Sequence, residues 1–427
     1  MSEAASPTTA SFAPGSTPSI KVPLAPGAID LSNPSTFVGG VPHEYFRVLR
    51  EQAPVHWQGE FKIPSIKQGP GFWAVTRYED VDYISKHAEI FSSAIETCFL
   101  FTPPAPMIRD MNAQLINMDP PQHTELRNIM NTGFKPSKIR ETEVKTERMV
   151  IETFDKIGNA SECDFVDAVS APISLHVLTD FLGVPGNHAK RFYRWTNRLI
   201  GQGEPGLGNV LLGRFSLLQL LFYAANLARK RRRNPTGDLY SKLAESPLGG
   251  KLMNNKELGM NFFLLLIAGN ETTRNALSGG VQALCEHPDQ LALLRSDPSL
   301  LPSAIEEMLR WVTPVMQFRR TAMCDAEVGG QAIRKGEKLV VYYGSANRDP
   351  RVFENPDVFD ITRKPNPHLA FGAGTHFCMG SHMARMEMRL TLIELLKRYP
   401  NFNLIGPPER IHSNFISGIK RMPMSLA

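Results

Sequence analysis

One cysteine in this chain stands where a thiol can hold a metal. Cys378 lies in Phe371-Gly-Ala-Gly-Thr-His-Phe-Cys-Met-Gly380, a glycine-rich loop that runs straight into a helical pattern from about Ser381 to Arg398. Glycines let the backbone turn tightly and come close to a flat object. A thiol at the mouth of a helix meets free amide hydrogens and the positive end of the helix dipole, and both favour the thiolate. A thiolate so placed beside a porphyrin-sized space is an axial ligand for haem iron. The alternative is a buried, inert cysteine in a strand-to-helix turn.

Three further groupings carry chemistry. Ala268-Gly-Asn-Glu-Thr-Thr-Arg-Asn275 sets a polar cluster in the middle of a long helical pattern, Leu258 to His287, that is otherwise apolar enough to be buried. Burying such groups is costly unless they are used. Glu271-Thr272 is an acid–alcohol pair, and the small Ala268 and Gly269 leave room beside it. Alternatively the helix surfaces there and the threonine bonds back to a carbonyl. His123 and Arg127 follow Pro120-Pro121, a helix-start signal, and four-residue spacing puts them on one face, where they can hold two carboxylates. Exposed pairs of this kind are also common. Glu307 and Arg310, three apart, meet on one helix face.

Phe371-x-x-Gly374-x-x-x-Cys378-x-Gly380 resembles the haem-binding signature of the cytochromes P450, and the resemblance extends from about Asp30 to the C-terminus. It implies a mainly α fold with small β-sheets, a triangular-prism α domain plus a β-rich region, forming one domain over residues 29–427. It implies haem b, with Cys378 on the iron and Phe371, Gly372 and Gly380 in the cradle. By the same resemblance His123, Arg127, Arg320 and His376 hold the propionates. Glu271 and Thr272 handle protons during oxygen activation. Glu307, Arg310 and Arg363 form a structural network that locks the core around the cysteine loop. The substrate pocket would be lined by Phe99 and Phe101 from the irregular stretch Ser92 to Met111, by Ala268, by Val315, Met316 and Phe318, and by Phe415 and Ile416 at the tip of the turn Ser413–Gly418.

A cysteinate pushes electron density onto iron and favours O–O cleavage. The resemblance therefore implies a monooxygenase that uses O2. No strand-Gly-x-Gly-x-x-Gly-helix unit is present, so electrons must come from a separate partner. A small acidic ferredoxin with its reductase fits, docking on the cysteine side at Lys135, Lys138, Arg385 and Arg389. Ala268–Asn275, Arg319-Arg-Thr-Ala322, Ser345-Ala-Asn-Arg-Asp349 and Asn366-Pro-His-Leu369 resemble one bacterial subgroup. Its members oxidise terpenoids, steroid side chains or branched and straight lipids, often at a terminal methyl. One alternative is a peroxide-driven peroxygenase, against which the acid–alcohol pair speaks. Another is a non-catalytic haem or lipid-binding protein, which needs neither that pair nor a basic docking face.

The elements that must position these groups are legible in outline. Helical patterns run over Pro42–Gln52, Tyr78–Lys86, Ser137–Ile157, Ala168–Leu182, Asn187–Ile200, Leu211–Arg233, Asp238–Glu245 and Pro302–Trp311. Val55-His-Trp and Gly71–Thr76 read as a hairpin. Arg229-Lys-Arg-Arg-Arg233 reads as a helix C-terminus favoured by the dipole.

The chain has 427 residues, 42% hydrophobic and 21% charged, which fits a globular protein with a large core. A net charge of +5 is too small to argue for nucleic acid and suits an acidic protein partner. Five scattered cysteines imply no disulfide framework and point to a reducing cytoplasm. Residues 1–28, rich in Ser, Pro, Ala and Thr, read as a disordered arm rather than a signal peptide. The absence of an anchor pattern there, and Arg214 inside the apolar stretch Val210 to Ala228, point to no stable membrane anchor. The expected protein is a cytoplasmic monomer.

Overall fold

The computed structural model describes residues 24–62, 68–185, 188–200 and 207–427. Residues 1–23 of the expected arm lie outside them. Its end does not: Leu24 packs on the N-terminal core, and the Gly27 amide donates to the Tyr45 hydroxyl at 3.0 Å.

Helices dominate. They are α1 (His43–Gln52), α2 (Tyr78–Lys86), α3 (Ala105–Met111), α4 (Gln122–Asn131), α5 (Pro136–Ile157), α6 (Ala171–Phe181), α7 (Ala189–Ile200), α8 (Leu207–Arg233), α9 (Leu239–Glu245), α10 (Asn255–Glu286), α11 (Pro288–Ser296), α12 (Leu301–Val312), the single turn α13 (Tyr343–Ala346) and α14 (Ser381–Arg398). The irregular stretch expected over Ser92 to Met111 ends in a helix, because Pro104 and Pro106 sit at and just inside the start of α3, where a missing N–H costs nothing.

The helix α10 is the axis of the molecule. Asn254 caps it and Glu257 reaches back to the Asn254 amide, a reciprocal pair that satisfies donors at its start. Thirty-two residues at 1.5 Å each give about 48 Å, enough to cross the whole fold. It packs on α6, α8, α12 and α14. Ala276, Leu277, Val281 and Leu284 meet Ile305 and Met308 of α12 in one core. Gly280 eases that approach, since a Cβ there would lie 3.0 Å from the Met308 Cβ.

The largest sheet has five strands in the order Val55–Gln58, Phe72–Val75, Lys338–Tyr342, Gln317–Ala322, Phe91–Ser92. The first two form the expected antiparallel hairpin. Lys338–Tyr342 runs parallel to Phe72–Val75 and antiparallel to Gln317–Ala322, with Leu339 opposite Arg320. Strand alternation sends neighbouring Arg319 and Arg320 to opposite faces. Arg319 takes Glu96 and Thr102, leaving Arg320 for the side of the cysteine loop.

Within the apolar stretch beginning near Val210, Leu211–Arg233 is long and apolar enough to cross a membrane by length and composition alone, and a third of its most apolar 18-residue window is buried within the fold.

Candidate functional site

The cysteine loop is held by backbone before any side chain acts. The Cys378 amide donates to the Phe371 carbonyl at 2.9 Å and closes the loop. Gly374 has φ +64°, and a Cβ there would meet the Ser85 carbonyl oxygen at 2.2 Å. The loop is therefore pressed against the end of α2, and only glycine permits it. Gly380 then caps α14. Cys378 faces a cavity whose opposite wall is α10.

Burial pushes the Cys378 thiol up, while the Gly380 amide, Arg127 and Arg385 pull it down. Burial is the larger influence, and the Gly380 amide acts in the direction expected of a helix mouth. A bound metal would lower the thiol further.

Two histidines flank one edge of the cavity. His123 from α4 and His376 from the cysteine loop have ring centroids 4.4 Å apart. Burial lowers both, His123 to about 4 with help from Arg127, and His376 well below its ordinary value with help from Arg320. The Nε2 atoms of both are buried and lack a partner among the described residues, as does the Thr375 hydroxyl. Buried polar atoms are almost always paired, so these ask for an acceptor. The carboxylates of a haem are such acceptors. The thiol, the glycine-lined loop and the two orphaned nitrogens together fit that cofactor. Arg320 lies near His376, 3% exposed, with one nitrogen on the Arg319 carbonyl at 2.8 Å. Arg127 also lines the cavity, but it donates to the carbonyls of Thr375 and Phe377 at 2.9 and 2.6 Å. It ties α4 to the cysteine loop, a role that spacing alone did not suggest.

On the opposite wall the acid–alcohol pair is split. The Thr272 hydroxyl donates to the Ala268 carbonyl at 2.6 Å and faces the cavity. Glu271 is buried, accepting from Asn270 at 2.7 Å and lying 2.5 Å from the Arg274 guanidinium. Burial raises its pKa despite both partners. Adjacent helix residues point about 100° apart, so the carboxylate and hydroxyl diverge.

The network behind the loop centres on a fully buried pair, Glu307 and Arg310. Arg310 grips Glu307 through two bonds of 2.8 and 2.7 Å and donates to the carbonyls of Asn347, Pro356 and Val358. Arg363 reaches Glu307 at 3.2 Å and three nearby carbonyls. One acid thus fixes the path of the chain leading into Phe371.

The pocket wall differs in part from expectation. Ala268, Val315, Phe318, Phe371 and Gly372 line the cavity. Phe415 stands behind Phe318 at 5.3 Å between centroids, and Phe99 behind Phe415 at 5.4 Å. Ile416 pairs with Val315 through a backbone bridge. Met316 and Phe101 are corrections: both pack in the N-terminal core with Tyr45 and Tyr342. In extended chain, turning Val315 toward the cavity turns Met316 away.

The expected docking cations are also largely committed. Arg385 makes two bonds to Glu306 at 2.6 and 2.8 Å and stacks on Phe371. Arg389 pairs with Glu143 and Lys138 with Glu141. Lys135 is exposed, and so is Phe377 beside the cysteine, at 42%.

Two acids escaped the sequence reading. Glu306 holds Arg385 and His368 together beneath Phe371. Glu387, nine residues after Cys378, is a buried carboxyl on the cavity wall whose pKa burial raises far above the ordinary value. In the sequence it is an isolated acid between Met386 and Met388, with no spacing that marks it; its burial on the inner face of α14 emerges only in the fold.

Comparison with known proteins agrees with this geometry. A family model for cytochrome P450 matches residues 223–415. The steroid C26-monooxygenase of Rhodococcus jostii (strain RHA1) is 33% identical over 410 residues, covering 95% of this chain and 86% of that protein. The linalool 8-monooxygenase of Pseudomonas putida is 35% identical over 405 residues, covering 93% and 98%. The solved structure of a Mycobacterium marinum cytochrome P450 in complex with pseudoionone superposes with a TM-score of 0.86 at 34% identity, covering 95% of this chain and all of that one.

Proposed function

Because this chain belongs to the cytochrome P450 family and is a haem-thiolate monooxygenase, we propose that its substrate is an apolar terpenoid, steroid side chain or branched lipid, hydroxylated at a terminal methyl. The observation that carries this reading is the wall facing Cys378. Leu178, Phe181, Leu264, Leu265, Val315 and Phe318 present hydrocarbon, while His123, Arg127 and His376 belong to the cysteine-loop edge. A wall of this kind buries hydrocarbon and offers no cation to a substrate carboxylate. The relatives named for steroid and linalool oxidation support the same class.

When bound, the haem supplies oxygen activation and insertion. Cys378 would hold it, His123, His376 and Arg320 would bind its carboxylates, and Phe371 and Gly380 would line its cradle. The protein's own part is to orient and exclude water. Ala268 and Gly269 keep the α10 wall low at one point, and Thr272 presents a hydroxyl there. That hydroxyl can rotate from the Ala268 carbonyl and hand on a proton, and Glu271, kept protonated more readily by burial, can replenish it after a side-chain rotation. Glu307, Arg310 and Arg363 keep the cysteine loop in register.

Electrons would come from a separate cytoplasmic ferredoxin docking over Phe377 and Lys135, the part of the cysteine face whose groups are exposed. The substrate class is tested by titrating the purified holoprotein with a terpene alcohol, a sterol, and branched and straight fatty acids. A pocket filled by its own class shifts the haem absorption band. A shift with at least one of these apolar classes supports the reading; a response to none of the panel would remove it.

A further inference from the structure

The charge of this protein is unevenly placed. Helices α7 and α8 together hold ten of the 47 basic residues and none of the 42 acidic ones, so the rest of the chain carries 37 against 42. The two helices pack side by side. Between them runs a groove of about 630 Å³ lined by Arg191, Arg194, Arg198 and Lys230 over Trp195 and Tyr223, sharing no residue with the cavity that Cys378 lines and with no acid in its walls. The C-terminal basic run is partly spent on the fold: Arg231 is buried on Asp238 at 2.7 Å, and Arg232 bonds the Ala244 carbonyl at 3.2 Å. The groove cations have no such anchor among the described contacts.

The outer face of α8 adjoins this groove and is apolar. Leu211, Phe215, Leu218 and Phe222 are 55%, 55%, 65% and 69% exposed. Their spacing of four, three and four residues makes one stripe, about 17 Å long at the helical rise. Leu212 widens it at 46%. Single exposed apolar residues are ordinary, but a contiguous stripe of five large ones marks an interaction surface. Farther along the same helix the exposed residues become Arg229, Lys230 and Arg233. The inner face cannot leave the fold, since Leu220, Ala224, Leu227 and Ala228 are buried and Arg231 is pinned. A helix held in this way cannot cross a bilayer, so only its outer face is available for contact.

We propose that the α7–α8 face is a reversible docking surface for an anionic lipid bilayer, with the α8 stripe entering the acyl boundary and Arg191, Arg194, Arg198 and Lys230 meeting headgroup phosphates. An apolar stripe flanked by cations is the pattern of interfacial helices. A second copy of the chain would bring its own ten basic residues against these, whereas an anionic bilayer complements them. The inference does not depend on which apolar compound the pocket oxidises.

The test is flotation of the haem-loaded, full-length protein with vesicles of phosphatidylcholine alone or of phosphatidylcholine mixed with phosphatidylglycerol. The wild type is expected to partition at least about tenfold better onto the anionic vesicles. Leu218→Ser with Phe222→Ser, and separately Arg194→Glu with Arg198→Glu, are each expected to reduce that partition by about tenfold, with circular dichroism and the haem spectrum unchanged. Equal partition onto both vesicles, no partition, or indifference to both double substitutions would overturn the proposal. So would a concentration-dependent dimer in sedimentation that the Leu218/Phe222 variant abolishes while no protein floats.

Discussion

His123 and His376 come from elements more than 250 residues apart in sequence and bring their rings to 4.4 Å between centroids, each with a buried Nε2 aimed at no protein acceptor. That convergence is what a pair of ligand carboxylates requires, and it gives a direct consequence for cofactor retention.

Phenylalanine at either histidine removes one charge-assisted hydrogen bond while keeping a ring of similar shape. Each such bond contributes about 1.5–3 kcal/mol. His123→Phe and His376→Phe are each expected to release haem at least about tenfold faster to an excess of an acceptor apoprotein, and the double variant to purify largely without haem. Unchanged release from all three would show that these nitrogens do not hold the cofactor.

Thr272 presents the α10 wall's hydroxyl to the cavity. Thr272→Ala should leave the fold and haem content intact, because only a bond to Ala268 is lost. Product formed per O2 consumed should fall by about tenfold or more, a modest share of the roughly 10²–10⁴-fold that a positioned proton-transfer group contributes. Thr272→Ser should recover most of the coupling. Coupling measured with an oxygen electrode and product chromatography decides the point, and an undiminished ratio in the alanine variant would refute the role.

Arg310 and Glu307 are both fully buried and joined by two bonds. Removing one partner strands the other charge, at a cost of about 3–5 kcal/mol. Glu307→Gln and Arg310→Leu should lower the melting temperature of the apoprotein and prevent stable haem incorporation. Arg310→Lys should also fail, since lysine cannot make the fork or reach three carbonyls at once. A soluble, haem-replete Arg310→Leu would contradict the account.

Glu306 gives a pH dependence. Burial pushes its carboxyl up, but Arg385 and His368 outweigh burial and hold it at about 2 against an ordinary 4.5. A depressed folded-state pKa stabilises fully above the unfolded value and fades as pH falls from roughly 4.5 toward 2. Glu306→Gln should therefore be less stable than the wild type at neutral pH, and the gap should close across that acid window. A gap that persists at pH 2 would exclude this cause.

Legibility of the sequence followed the range of the interactions involved. The helices near α2, α5 and α12 were readable because caps, prolines and apolar spacing are local signals, and the cysteine loop was readable because its glycines answer a local steric demand such as that of Gly374 against Ser85. Met316 was misplaced because which side of an extended segment faces the pocket depends on a sheet register set by distant strands, and Phe101 because it lies in an irregular bend whose direction no local spacing reveals. Arg385 looked free until tertiary packing brought Glu306 beneath it. Glu387 went unnoticed because an isolated acid among methionines carries no spacing signal. The exposed stripe of α8 was hidden by the same ambiguity: an apolar helix reads alike whether its outer face meets protein, lipid or water.

The central claim is that Cys378 becomes a thiolate on haem iron, although burial in the folded protein raises its thiol. Reducing the purified holoprotein under carbon monoxide tests it most directly. The account predicts the red-shifted Soret band from which the cytochromes P450 take their name, and its loss in Cys378→Ser. A wild-type band at the position of a histidine-ligated haem, or a protein that purifies without porphyrin, would contradict it.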